Sequence, residues 1–599
     1  MRHVRLRRAL IGAAVALPGV LHAQPSKVNR YGNPATMTPA PTSPAISTRD
    51  LQIRLYQFAD DSMLGRQVGW LGNKKGTDYI AAEMKRLGLL PGGDNGTYFQ
   101  VLPYHIRKFT DHSRLTVDGN PLQWNTDFVA VPGARAPRAI ANAEVVFGGR
   151  LGDESTQISA AAAAGKVVVL LPPEGGARVS QGQGFALRPG AAPAPSRFAD
   201  AAAVATVDLD ALTMAQRVAI NQPRTATQSG GGRGGRGGGA STEPVDSLAL
   251  LKQQLAAMQP AAALRITKAA AARLFKDVNI DALAPGAKGG TVNASLDFVE
   301  LPSEWARNVV AILPGSDTKL RQQYVAVGAH NDHVGFATPA DKDSVRAFNE
   351  IKNRLLIANK MQNLGVDAIS SIKVNMDSIR KVHPKPRIDS IHNGADDDGS
   401  GSMGVLEIAE AMANMKVKPK RSTLFIWHTG EEGGLVGSAF FTRNPTVPID
   451  SVVAQINIDM IGRGRAEDLP GGGPDFLGVI GSMFDSKDLG EQVKAANAKQ
   501  AKPLQLDYKF DQPIAWSGYN NLYGRSDHFN YAQQGVPIAF FFTGLHGDYH
   551  QRSDEPEFID YPHYARITNY LRDLVVDVGN GPRPQLNGTK PVKPKVIVP

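Results

Sequence analysis

The sequence predicts an α/β protein: a mixed, largely parallel central sheet flanked by helices, with a β-rich domain inserted into it. Three observations carry that expectation. From Asn308 onward, near-continuous apolar runs (NVVAILPG, YVAVGAH, TLFIWHT, VVAQINIDM and PIAFFFTG) are separated by helical segments such as GVLEIAEAMANM at 404–415. Strands apolar on both faces belong to a sheet covered on both sides, and their alternation with helices makes it largely parallel. Residues 118–295 break the pattern with short β-like runs, AEVVFGG, KVVVLL and AVATV, between alanine-rich stretches. Finally, 599 residues are too many for one hydrophobic core.

The elements follow in chain order. Residues 1–23 place arginines before a short apolar run, Ala9 to Leu21, and contain no acid. This is the layout of a signal peptide cleaved near Ala23–Gln24. The run is too short to span a bilayer comfortably. Export to the periplasm or the extracellular space is therefore expected, without a stable membrane anchor. Residues 24–48, rich in Pro, Ser, Thr and Asn, read as a disordered leader. Helical patterning starts near Leu51, and GTDYIAAEMKRLGLLPGG forms an amphipathic helix closed by Gly88. Segments 49–117 and 296–578 thus make one domain, split by the insert at 118–295. The Pro-rich end, 579–599, reads as a loose tail.

Composition narrows the function. The net charge of +10 includes Arg2, Arg5, Arg7 and Arg8 of the signal segment, so the rest is only modestly basic. The run SGGGRGGRGGGA at 229–240 has two arginines and no aromatic residue. It reads as a flexible surface loop, and no nucleic-acid partner is expected. There is no cysteine, so any metal must be held by His, Asp and Glu.

Such residues gather at one end of the predicted strands. YVAVGA is followed by His330, Asn331 and Asp332; NGADDDGSG carries Asp396, Asp397 and Asp398; TLFIWHTG precedes Glu431 and Glu432; VVAQINI precedes Asp459; and a short loop after PIAFFFTG reaches His550. Ligands of open α/β sheets bind outside the carboxyl ends of the strands. Each motif alone is weak, since a lone His or a helix-capping Asp is commonplace. All of them in order, at the same topological end, point to a metal site. Two His and three carboxylates without sulfur suit zinc, and less specifically manganese or cobalt.

The motifs GAHNDHVG, GADDDGSG, HTGEEGGLVGS, NIDMIG and DYHQRSD resemble those of the M28 metallopeptidases. The resemblance implies a zinc exopeptidase fold, peptide substrates and two zinc ions per chain. It assigns His330, Asp397 and Asp459 to one zinc and Asp397, Glu432 and His550 to the other, with Asp397 bridging. It makes Asp332 the carboxylate that orients His330, and Glu431 the general base. The insert is similar, diffusely, to a protease-associated domain. An aminopeptidase is the expected activity. Alternatives are a carboxypeptidase, with Arg525 as the one nameable basic clamp, a glutaminyl cyclase, and a non-catalytic receptor-like protein. The connection between His330 and Asp397 is long for the family. Val345, Phe348, Ile351 and Leu355, then Val366, Ile369, Ile372, Met376 and Ile379, recur at helical spacing. An inserted helical hairpin over 337–392 is expected at the rim of the site, where it would narrow access.

Overall fold

The computed structural model describes residues 29–131, 137–151, 155, 157–172, 197–211, 224–227, 260–359, 368–369, 371–511 and 522–588. The signal segment 1–23, the Arg-Gly run 229–240 and residues 589–599 of the expected tail lie outside them.

Among the described residues the main sheet has nine strands. In chain order they are β1 (Leu90–Pro91), β2 (Phe99–Val101), β3 (Arg307–Leu313), β4 (Tyr324–His330), β5 (Ser422–His428), β6 (Val452–Ile458), β7 (Phe476–Ile480), β8 (Gln505–Asp507) and β9 (Ile538–Phe542). Their spatial order is β1-β3-β5-β4-β6-β9-β7-β8, with β2 also on β3. The centre, β5-β4-β6-β9, is parallel throughout. Antiparallel pairings flank it, β3 with β5 and β7 with β9. The expected mixed sheet is therefore parallel in its middle, with an antiparallel pairing on each side of it and a further parallel pair, β7 with β8, at one edge.

Period-two alternation divides each central strand between two cores. Val325, Val327, Phe425, Trp427, Ile456 and Phe541 face one core, shared with α1 (Thr48–Phe58), α2 (Leu71–Arg86), α5 (Gly401–Ala413) and α8 (Tyr561–Asn580). Ala326, Leu424, Ile426, Ile538, Phe540 and Phe542 face the other, which α6 (Val436–Arg443) and α7 (His528–Gln533) cover with Phe441 and Tyr531. Burial on both faces is why these strands read as continuous apolar runs. Gly88 ends the α2 segment with φ +73°, a left-handed position that glycine adopts at no steric cost.

The first core contains a charge cluster. Arg54 of α1 is 1% exposed and donates to Glu407 and Glu410 of α5, and to Glu83 of α2 at 2.8 Å. Removing one partner of such a buried network leaves uncompensated charge. Arg54→Ala is expected to destabilise the protein by about 3–5 kcal/mol, seen as a large drop in thermal midpoint. A shift within that of a surface Arg→Ala control would show the carboxylates satisfied by other means.

The described residues of 114–295 contain a second, eight-stranded sheet with its own core, around Phe128, Val145, Phe147, Val169 and Leu264. It already includes Arg114–Val117, upstream of the expected start at 118. The leader departs from expectation. Residues 29–47 are packed on the main domain: Asn33 donates to the carbonyls of Glu557 and Ile559, and Thr42 to Glu410. Polar residues that composition assigns to disorder here satisfy loop carbonyls just before α8 and a carboxylate of α5. The tail is likewise pinned as far as 588, with Asn587 donating to the Met483 and Phe484 carbonyls. Among the described residues, no helix is long and apolar enough to cross a membrane.

Candidate metal centre

The site sits at the carboxyl ends of β4, β5, β6 and β9. His330 is the last residue of β4. Just beyond it, Asn331 bonds to the Trp427 carbonyl and accepts from Asn73, while Asp332 accepts from the Glu431 backbone N–H at 3.1 Å. These bonds bolt the end of β4 to the end of β5. Asp397 lies in an irregular turn before α5. Asp554 fixes that turn by accepting from the backbone N–H groups of Asp396 and Asp397, both at 3.1 Å.

After β5 the chain turns at Gly430, φ +66°, where an added Cβ would lie 2.2 Å from Val436. The two following glutamates then part company. Glu432 is buried against the histidines, while Glu431 lies half-buried on the wall of a cleft. Asp459 follows β6 directly, and Ser526 donates to its Oδ2 at 2.7 Å. His550 holds φ +56°, a conformation that non-glycine residues keep mainly where the surroundings enforce it.

The expected ligand atoms converge in two sets. His330 Nε2 lies 3.2 Å from Asp397 Oδ1 and 3.8 Å from Asp459 Oδ1. His550 Nε2 lies 2.9 Å from Asp397 Oδ2 and 2.9 Å from Glu432 Oε2. Asp397 therefore offers a different oxygen to each set. The second set also contains His333, whose Nδ1 lies 2.9 Å from Glu432 Oε1 and 3.7 Å from Asp397 Oδ2. The sequence reading missed His333. Its signal was present as a second imidazole three residues after the first in HNDH.

These atoms fit a cation. His330 Nε2, His333 Nδ1, His550 Nε2, Asp397 Oδ2 and Glu432 Oε1 are all buried without a hydrogen-bond partner. Native proteins rarely leave buried polar atoms so, and N/O donors around a common point are what zinc binds.

The electrostatics agree. Burial alone would lower the His330 imidazole, but the carboxylates of Asp332, Asp397 and Asp459 outweigh it and raise it well above its ordinary value. His550 is raised to about 10: burial opposes, and Glu432 and Asp397 prevail. Burial would raise Asp397, yet His330 and His550 hold it well below the usual range. Burial raises Asp459 to about 7. Positive charge is thus in demand at this centre. Asp332 acts otherwise than expected: His330 Nδ1 is 3.0 Å from its backbone carbonyl and 3.7 Å from its carboxylate. The carbonyl orients the ring, and the carboxylate holds the Glu431 backbone.

The cleft beside the metal sets is lined by Asp397, Glu431, Asp459, Arg525 and an apolar wall that includes Leu522, Phe540 and Phe542. None of its described lining comes from the 337–392 insertion. The insertion is a short β-ribbon (Phe336–Asp341 with Ile388–Ile391) carrying α3 (Lys342–Ala358) and α4 (Met376–Val382). α3 packs against the loop that bears His550. Arg346 donates to Asp548, Asn349 to Asp548 and Ser553, and Lys352 to the Gly547 carbonyl. In place of the expected narrowing of access, this helix buttresses a ligand loop. The reason is its polar face, which matches carbonyls and a buried carboxylate better than an apolar rim. Arg346→Ala is expected to weaken metal retention about tenfold, the lower end for loss of a supporting contact. Unchanged retention under graded chelation would make α3 a decoration.

Residues 308–575 match the model of peptidase family M28. Leupeptin-inactivating enzyme 1 of Streptomyces exfoliatus is 29% identical over 161 residues, 26% of this chain and 31% of that protein. Leucine aminopeptidase 1 of Fusarium vanettenii is 27% identical over 194 residues, 31% of this chain and 46% of that protein. The chain thus spans less than half the length of either relative. Among solved structures, BSAP, a zinc aminopeptidase from Bacillus subtilis, aligns with TM-score 0.48 and 16% identity over 90% of this chain and 96% of that one. An aminopeptidase from Aneurinibacillus sp. strain AM-1 aligns with TM-score 0.44 and 17% identity over 92% and 96%. The family match covers less than half of the chain, and it is the stretch that supplies every candidate ligand.

Proposed function

We propose that this protein is an exported two-zinc aminopeptidase. The observation that carries the reading is the sharing of Asp397, one oxygen to each of two histidine–carboxylate sets. His330, Asp397 and Asp459 would hold one zinc, and Asp397, Glu432 and His550 the other. Zinc bound there supplies a Lewis acid for a peptide carbonyl and lowers the pKa of water. Glu431, on the cleft wall beside Asp397 and Asp459, takes a proton from the attacking water and returns it to the leaving amine. Asp332 fixes that role by holding the Glu431 backbone and, through its carbonyl, the His330 ring. The wall of Leu522, Phe540 and Phe542 favours an apolar side chain next to the scissile bond. The eight-stranded insert we read as a protease-associated domain.

Peptides with a free N-terminus and an apolar first residue are expected to be cleaved, and their N-acetylated versions at least 10-fold more slowly. Prior chelation should abolish both activities, and zinc should restore them. Equal rates on free and acetylated peptides would remove the aminopeptidase reading. Arg525 on the same wall favours one second reading, a carboxypeptidase that clamps a terminal carboxylate. C-terminal amidation would then slow cleavage, whereas an aminopeptidase is insensitive to it.

A further inference from the structure

We propose that His333 is a direct metal ligand, so that one of the two sites is closed by four protein side chains and the other is held by three. The proposal rests on reading this centre as zinc-binding, and it adds a residue which that reading does not use.

The backbone brings His333 to the site. Residues 331–335 leave β4 without regular structure, and the His333 N–H bonds to the Arg66 carbonyl at 3.2 Å. The ring lies against Gly394, just before the ADDD run. A Cβ on Gly394 would lie 2.5 Å from His333 Cδ2, and the glycine itself sits at φ +53°. A side chain there would push the imidazole out of place. On its other side, the ring of His550 lies 5.5 Å away, edge to face. His333 is 1% exposed.

The contacts of Nδ1 are those of a donor atom around an ion. Nδ1 is 2.9 Å from Glu432 Oε1, and both atoms are buried with no other polar partner in reach than the atoms of this set. Donors about 2.0–2.1 Å from a tetrahedral zinc stand about 3.3 Å apart. The separations within the set are 2.9 and 3.7 Å from His333, and 2.9 and 2.9 Å from His550. All four residues thus converge on one point.

The two sites are then unequal. His333, Asp397, Glu432 and His550 give two imidazoles and two carboxylates. His330, Asp397 and Asp459 give one imidazole and two carboxylates, and Asp397 and Asp459 also line the cleft. Four protein ligands close a zinc site, while three leave an open position. The closed site fills first and releases its zinc last.

The test uses the full chain stripped of metal and reloaded with one equivalent of zinc, then studied by X-ray absorption at the zinc edge. The wild type is expected to show two imidazoles on that zinc. His333→Gln is expected to show one, and to hold its tighter ion at least 100-fold more weakly in chelator competition. A merely positioning role would keep the imidazole count and cost about 10–100-fold. If His333→Gln fails to fold, the wild-type count still decides: a single imidazole at one equivalent overturns the proposal. Wild type that takes up no zinc would sink the metal-centre reading itself, an outcome distinct from a two-zinc protein indifferent to His333.

Discussion

Glu431→Gln should lower kcat by about 10²–10⁴, the range removed with a positioned general base, while the zinc content per chain stays at the wild-type value. The structure separates Glu431 from the ligands although it adjoins one of them in sequence. Glu432 approaches His333 and His550 at 2.9 Å, whereas Glu431 lies half-buried on the cleft wall with its N–H on Asp332. The amide of Gln keeps the size and loses only the ability to accept the proton. Elemental analysis beside steady-state kinetics distinguishes the outcomes. A variant that loses zinc would make Glu431 a ligand and reverse the roles of the pair.

Asp397→Ala should be more drastic, because one carboxylate serves both sets. Its Oδ1 faces His330 and its Oδ2 faces His550. Without it, His330 and Asp459 keep only each other, and the second set loses the donor it shares. At most one ion per chain, held weakly by His333, Glu432 and His550, is expected to remain, with activity indistinguishable from the chelated enzyme. Asp459→Ala removes a donor from one set only, and at least one tightly held ion should remain. If both variants lose the same amount of metal, the bridging role of Asp397 is wrong. Each preparation should be checked for native secondary structure, since Asp397 sits 3% exposed in a turn fixed by Asp554.

Much of this site is legible in the sequence, because its residues stand where an apolar strand stops. YVAVGAH, TLFIWHTGEE and VVAQINID each announce a buried strand and then a group that cannot be buried unpaired. His333 was not legible in the same way. Three residues past a strand end, its direction depends on how 331–335 bend. It also depends on the space left by Gly394, a residue distant in sequence. The insertion misled for a related reason. Its apolar spacing marked the helix at Lys342–Ala358, but of the second run Val366 lies outside the described residues and Ile372 outside the helix, which starts only at Met376; nor does spacing say which surface a helix meets. Arg346 and Asn349 chose the His550 loop through Asp548 and Ser553. The leader misled because composition counts polar residues without seeing their partners. Asn33 finds two carbonyls near residue 558 that no local pattern reveals.

The sequence by itself determined the α/β class, the strands, and the His, Asp and Glu residues placed at their carboxyl ends. These are local properties, set by hydrophobic periodicity and by the cost of burying charge. Only the tertiary structure decided which oxygen of Asp397 faces which histidine, that Glu432 is buried while Glu431 lines the cleft, and that His333 joins the second set. Those facts rest on distances between atoms brought together by loops, where a turn at one glycine redirects a side chain by several ångströms. A carboxylate or imidazole is named by the sequence, but its partner is chosen by the fold.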